Sequence, residues 1–169
     1  MNPISQQTYT IRPATIADLD TIFQLIQLKA SFDGCPNSVQ TTVAQLQQDL
    51  FGNPSLVSIL LAEVEGEVIG FSSYHSIYST FLAKPGIWLD DLYLKPAFRG
   101  QGIGRELMQR LGQIAQEKGC ARIDWTVAET NLGGMKFYEA MGAEILSSVR
   151  MCRLDLAGIE AIATASCRG

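Results

Sequence analysis

Residues 88–104 read Trp88-Leu89-Asp90-Asp91-Leu92-Tyr93-Leu94-Lys95-Pro96-Ala97-Phe98-Arg99-Gly100-Gln101-Gly102-Ile103-Gly104, and RELMQRLGQIAQEKG follows. The run from Ile87 to Leu94 is β-rich, and Pro96 ends it because proline cannot donate to a ladder. Beyond the glycines, Leu107, Leu111, Ile114 and Ala115 recur at helical spacing from Ile103 to about Lys118, with Gly119 placed as a cap. The stretch is therefore a strand, a glycine-rich turn and a helix. The first N–H groups of a helix lack intrahelical partners and carry partial positive charge, so such a junction attracts anions. Glycines remove the Cβ atoms that would hold a phosphate away, and they permit positive φ, so successive N–H groups can converge on one oxygen cluster. Arg99 and Arg105 add a cation at each end, and a pyrophosphate is a natural ligand.

Spacing narrows the choice. A dinucleotide fingerprint counted from Gly100 or Gly102 needs glycine at 105 or 107, where the chain has Arg105 and Leu107. A Walker loop needs Gly-Lys-Ser/Thr, and Gly104-Arg105-Glu106 does not supply it.

Working outward, YTIRPA reads as a short first strand that Pro13 ends. Thr15 to Asp18 fits a capping box, and Leu19, Ile22, Phe23 and Ile26 continue an amphipathic helix to about Ala30, broken by Asp33-Gly34. A second helix is expected over about Val39 to Leu50. LVSILLAEV and VIGFSSYHSIY, either side of Glu65-Gly66-Glu67, read as an antiparallel hairpin, and a loop containing Pro85-Gly86 leads to Ile87. Ala121 to Val127 supplies a strand that completes a β-α-β unit. A short helix is expected from about Gly133 to Met141, then two more strands, AEILSSV and MCRLDL, and from Ala157 either a terminal helix or a frayed end. The expected fold class is α/β (α+β): one domain over residues 1–169, core about 8–155 and tail 157–169. Its mixed, mostly antiparallel central sheet has six to seven strands flanked by about four helices.

Composition sets limits. The chain has 169 residues, 47% hydrophobic and 18% charged, a globular balance that argues against disorder. Lys+Arg 13 against Asp+Glu 17 gives a net charge of −4, so no basic field exists for nucleic acid and a cationic partner is favoured. No apolar run approaches about 18 residues, and the N-terminus lacks signal-peptide character, so no membrane partner is expected and the default location is cytoplasmic. Cys35, Cys120, Cys152 and Cys167 form no CxxC pair and His75 is the one histidine, so neither a metal site nor a disulfide framework is expected.

Arg99-Gly100-Gln101-Gly102-Ile103-Gly104 resembles the acyl-CoA loop of the GNAT family of N-acetyltransferases, usually described as Q/R-x-x-G-x-G/A. IRPAT before a helix, the AEV-EGEVIGF hairpin, DDLYLKPAFRGQGIG, and Asn131 followed by Phe137-Tyr138-Glu139-Ala140-Met141-Gly142-Ala143 are similar to that family in the same order over about residues 8–155. WLDDLYLKPAFRGQGIG and VAETNLGGMKFYEAMGA most resemble its diamine (spermidine/spermine) branch and thialysine-acetylating relatives. Gly133-Gly134 departs from the pattern, standing where the family usually has a better helix former.

The resemblance implies acetyl transfer from acetyl-CoA to a primary amine such as a diamine, polyamine or thialysine-like amino acid. It implies no metal, and a homodimer. It points to Asp90 as base or water relay, with Asp91 as second choice because adjacent strand residues face opposite sides. It makes Tyr138 the general acid beside the thioester sulfur, and a backbone N–H around Leu92, Tyr93 and Leu94 the oxyanion donor. Coenzyme A would be held by Arg99, Gly100, Gln101, Gly102, Ile103, Gly104 and Arg105, with Asn131, which in that position is equally a helix cap. Asp33 lies after the first helix, where this branch carries acidic residues near its amine site, and Trp88 is placed to shield a cation. Alternative readings are an acceptor that is an amino acid or protein N-terminus, or a non-catalytic acyl-CoA-binding module.

Overall fold

The computed structural model describes residues 9–165. It falls into two compact units, one up to Thr126 and one from Val127.

The first unit is built on a five-stranded sheet in the order β1-β2-β3-β4-β5, comprising β1 (Tyr9–Pro13), β2 (Ser58–Val64), β3 (Glu67–Ser79), β4 (Lys84–Leu94) and β5 (Ile123–Asp124). The first four strands are antiparallel, and β5 is parallel to β4. The β2–β3 connection is the expected hairpin: Glu65 and Gly66 both have positive φ, 50° and 85°, the turn that matches strand twist. Helices α1 (Leu19–Phe32) and α2 (Val43–Phe51) cover one face, and α3 (Ile103–Glu117) covers the other. Leu60, Ala62, Ile69, Ile87 and Leu89 pack with Ile103, Leu107 and Leu111, while Leu61, Phe71 and Tyr93 pack with Ile22, Leu25, Leu46 and Leu50. The period-2 strand pattern thus fills two apolar layers, one per face.

Asp18, flagged by the capping box, bonds more widely than the box requires. Its carboxylate accepts from Thr15 N at 2.7 Å and from the two terminal guanidinium nitrogens of Arg12, each at 2.9 Å. Arg12 Nε also donates to Glu63 on β2 at 2.8 Å, so one guanidinium ties β1, β2 and the start of α1 together. These hydrogen bonds hold the Asp18 carboxyl well below the usual carboxylate range.

The second unit holds α4 (Leu132–Glu139) and α5 (Leu156–Thr164). The tail is helical as far as Thr164, capped by Asp155, which accepts from Gly158 N at 2.9 Å; residues 166–169 lie outside the described residues. Helices in the described chain number five rather than about four.

The expected six to seven strands are five among the described residues. Ala143–Val149 and Met151–Leu156 form no ladder, and Ser147-Ser148 makes a turn inside the first run. Alternating apolar residues mark which side chains share a face, but they do not supply the neighbouring edge a strand needs. The run expected over Ala121–Val127 pairs only at Ile123 and Asp124. In contrast, β4 starts earlier than expected, at Lys84. Pro85, assigned to a loop, lies within it, opposite Tyr78, with its carbonyl accepting from Ala121 N at 2.9 Å. The second helix starts at Val43 rather than Val39, because Thr42 caps it by accepting from Gln45 N at 3.1 Å.

Candidate active site

The glycine-rich turn leads into α3 as its sequence requires. Gly100 and Gly102 have φ of +73° and +87°, and a Cβ built on either would stand in open space. Gly102 is the N-cap of α3, in a left-handed conformation that a side chain would strain. Its carbonyl accepts from Arg105 N at 2.9 Å and Glu106 N at 3.2 Å, so the amides of Ile103 and Gly104 precede the first intrahelical donor. Gln101 Nε2 donates to Ala97 O at 3.0 Å, folding its side chain back onto the preceding turn. Two glycines without Cβ obstruction before a helix N-terminus suit a diphosphate.

Arg99 is engaged elsewhere. Its Nε donates to Leu94 O at 2.9 Å, its guanidinium lies 4.2 Å from the Phe32 ring centroid and 5.5 Å from that of Tyr93, and its N–H donates to Pro96 O at 3.2 Å. It fastens the turn to β4 and to the end of α1. Arg105 is exposed in the first turn of α3.

The Asp90-Asp91 pair lies at an irregularity in the β3–β4 ladder. Tyr74 pairs with Leu89 and Ser73 with Asp91, so Asp90 is the extra residue of a bulge. The insertion switches faces: Ile87 and Leu89 pack on the α3 side before it, and Leu92 and Leu94 do so after it, leaving Asp91 and Tyr93 on the α1 side. It also re-aims the backbone. Ile87 N donates to Arg122 O toward β5 at 3.1 Å, whereas Asp91 N donates to Ser73 Oγ at 3.1 Å and Lys95 N to Ile69 O at 2.9 Å, both toward β3. By alternation the N–H groups of Leu92 and Leu94 point to the opposite edge. The β4–β5 ladder ends at Trp88 and Asp124, so these amides lie beyond its last rung. Tyr93 is buried and points its ring at Phe71 and Phe32.

Asp90 is exposed. Asp91 is 27% exposed at its side chain, accepts from Ser73 Oγ at 3.2 Å and pairs with Lys29 Nζ at 3.4 Å. Burial pushes the Asp91 carboxyl up, and the Lys29 charge only partly opposes this. Lys29 also pairs with Asp33, four residues on. Burial alone would lower the Lys29 ammonium, but Asp33 and Asp91 together carry it upward. Trp88 is half-buried, opposite His75 in the ladder.

In the second unit, Asn131 is the N-cap of α4, accepting from Gly134 N at 2.9 Å. A Cβ on Gly134 would lie 2.6 Å from Asn131 Nδ2 and 2.8 Å from Cγ, so this glycine makes room for the cap, whereas one on Gly133 meets nothing within 4 Å. Tyr138 is half-buried on α4, its ring edge-on to Phe137 at 5.2 Å.

Two participants escaped the sequence reading. Lys29 carries an i,i+4 signal with Asp33, obscured by ending the helix at Ala30. Ser73 has no sequence signal, because its pairing with Asp91 depends on the bulge.

An acetyltransferase (GNAT) family model matches residues 21–143, across both units. Thialysine N-epsilon-acetyltransferase of Bos taurus is 33% identical over 145 residues, covering 81% of this chain and 85% of the bovine protein. Spermidine/spermine N(1)-acetyltransferase-like protein 1 of Homo sapiens is 32% identical over 155 residues, covering 88% of this chain and 22% of the human protein. Among solved structures, an integron cassette protein from the mobile metagenome of V. cholerae matches with a TM-score of 0.76 at 26% identity, covering 93% of this chain and 98% of that one. The protein is an acyltransferase enzyme. More narrowly, the chain belongs to the acetyltransferase (GNAT) family, whose members use acetyl-CoA as co-substrate. Among the described residues no helix is long and apolar enough to cross a membrane.

Proposed function

We propose that the enzyme acetylates a primary amine of a small molecule, of the diamine, polyamine or thialysine-like amino acid class, as a single N-acetyltransferase domain. The observation that carries this reading is the bulge at Asp90: one β-strand bears two adjacent carboxylates and, two residues on, amides aimed past the end of a ladder. The named relatives, which act on thialysine or resemble a spermidine/spermine enzyme, support the amine class.

Acetyl-CoA supplies the activated acetyl group. The amides of residues 101–104 hold its diphosphate, and Arg99 keeps the turn fixed against β4. An alkyl ammonium has a pKa near 10.4, so it must lose a proton before attack. Asp90, exposed on the bulge, accepts that proton directly or through water, while Asp91 and Asp33 hold positive charge on the α1 side and Trp88 shields it. A backbone N–H, of Leu92 or of Leu94, donates to the acetyl oxygen as negative charge develops. Tyr138, assigned by its place in the Phe-Tyr motif, returns a proton to the departing sulfur. A phenol near pKa 10 can serve a thiolate whose acid lies near 8.5. Asn131 acts through the cap that starts α4, and a homodimer is the expected assembly.

The test is thiol release from acetyl-CoA with a panel of monoamines, diamines, polyamines, amino acids and a peptide. Turnover with small primary amines is expected. Turnover confined to the peptide moves the acceptor to a protein N-terminus, and no turnover with any amine overturns the reading.

A further inference from the structure

The acceptor side of this site already contains an ammonium. Lys29, 19% exposed at its side chain, lies between Asp33 and Asp91, pairing with both. Its terminus is a primary alkylammonium, chemically the same group as the acceptor. Two carboxylates against one ammonium leave a single negative charge where the pair alone would carry two. A second fixed cation stands on the same face: the Arg99 guanidinium rests on Phe32, the residue before Asp33, and on Tyr93, two residues after Asp91. Both carboxylates are partly spent on the chain's own ammonium, that of Lys29. Charge interactions strengthen as water is excluded, and Lys29 and Asp91 are mostly screened from solvent.

We propose that Lys29 is a specificity-determining residue that neutralises half of the Asp33–Asp91 pair, disfavouring an acceptor's second ammonium and biasing the enzyme toward acceptors with one positive charge. This rests on the acetyltransfer reading and on Asp33 and Asp91 facing the acceptor. Lys29 takes no part in the reaction itself. It sets which cations the acidic pair can hold, so its replacement alters the ratio between acceptors more than the rate with any one.

The experiment compares kcat/KM for 1-aminopentane and 1,5-diaminopentane in the wild type, Lys29→Met and Lys29→Arg, with thiol release as readout. Lys29→Met is expected to raise the diamine-to-monoamine ratio about tenfold, and Lys29→Arg, which keeps the charge, to leave it near the wild-type value. Adding Asp33→Asn to Lys29→Met is expected to bring the ratio back down. If Lys29→Met does not fold, Lys29→Gln, neutral and polar, carries the same comparison. An unchanged or lowered ratio in an active neutral variant overturns this inference alone. Failure of both the wild type and the variants to release thiol with any amine overturns the acetyltransfer reading and this inference with it.

Discussion

The Ser73 hydroxyl bridges the bulge to Asp91 twice: it donates to Asp91 Oδ2 at 3.2 Å and accepts from Asp91 N at 3.1 Å. One oxygen thus satisfies the amide that follows the bulge and also fixes the carboxylate. Ser72, its neighbour, is fully buried, and its hydroxyl finds no partner among the described residues. The two serines are therefore expected to respond oppositely to alanine. Ser73→Ala strands a buried amide and should cost about 1–3 kcal/mol, with a fall in kcat/KM. Ser72→Ala removes an unpaired polar group and should be neutral or stabilising by up to about 1 kcal/mol. Urea unfolding of both variants checks this, and equal losses would contradict it.

Asp90→Asn removes the proposed proton acceptor while retaining its size. It is expected to lower kcat/KM by about 100-fold to 10,000-fold, with coenzyme A affinity kept. Tyr138→Phe should lower kcat while leaving coenzyme A affinity near wild type. Steady-state kinetics alongside calorimetric titration separate the two quantities. An unchanged kcat in either variant removes that residue from proton transfer.

The glycine pair of α4 yields a contrast within one helix turn. Gly133→Ala adds a Cβ in open space and should stabilise by up to about 1 kcal/mol. Gly134→Ala gains the same propensity but drives a Cβ into the Asn131 cap, whose loss costs about 1 kcal/mol, so the net change should be near zero. Thermal or urea unfolding of the two variants tests this. Equal stabilisation would mean that Asn131 is not acting as the cap.

The parts of the fold that were legible share one property: their signal is local. Leu107, Leu111 and Ile114 declare α3, Glu65-Gly66 declares the hairpin, and Thr15 with Asp18 declares the start of α1. The residues of the glycine turn were legible for the same reason, since positive φ at Gly100 and Gly102 is a backbone demand that few side chains meet. What escaped depends on partners distant in sequence. Ala143–Val149 reads as a β-like run yet joins no ladder among the described residues, and the Ser73–Asp91 register arises from a bulge that no spacing announces. The rule that adjacent strand residues face opposite sides breaks at that same bulge: Leu89 lies on the α3 side, and Asp91, two residues on, lies on the α1 side.

Asp18 makes stability depend on pH in a definite direction. Arg12 and Thr15 depress its folded-state pKa below the unfolded value near 3.9, so its contribution is fully present above that value and is lost progressively as pH falls from there through the folded-state pKa. Asp91 has the opposite sign: its raised pKa makes ionisation relatively unfavourable in the folded state, a burden relieved as pH falls. Asp18→Asn is expected to cost about 2 kcal/mol near neutral pH and to flatten the acid limb of the stability curve. Urea unfolding from about pH 2 to pH 7 measures it, and parallel curves for wild type and variant would contradict the assignment.

The most direct test of coenzyme A binding at this turn is an amide NMR titration of the full chain with coenzyme A. The N–H signals of Gln101, Gly102, Ile103 and Gly104 are expected to move first and furthest, and Gly102→Val should weaken binding while leaving α3 folded. Saturation by coenzyme A with those four amides unmoved, and the largest shifts on other elements, would place the diphosphate elsewhere.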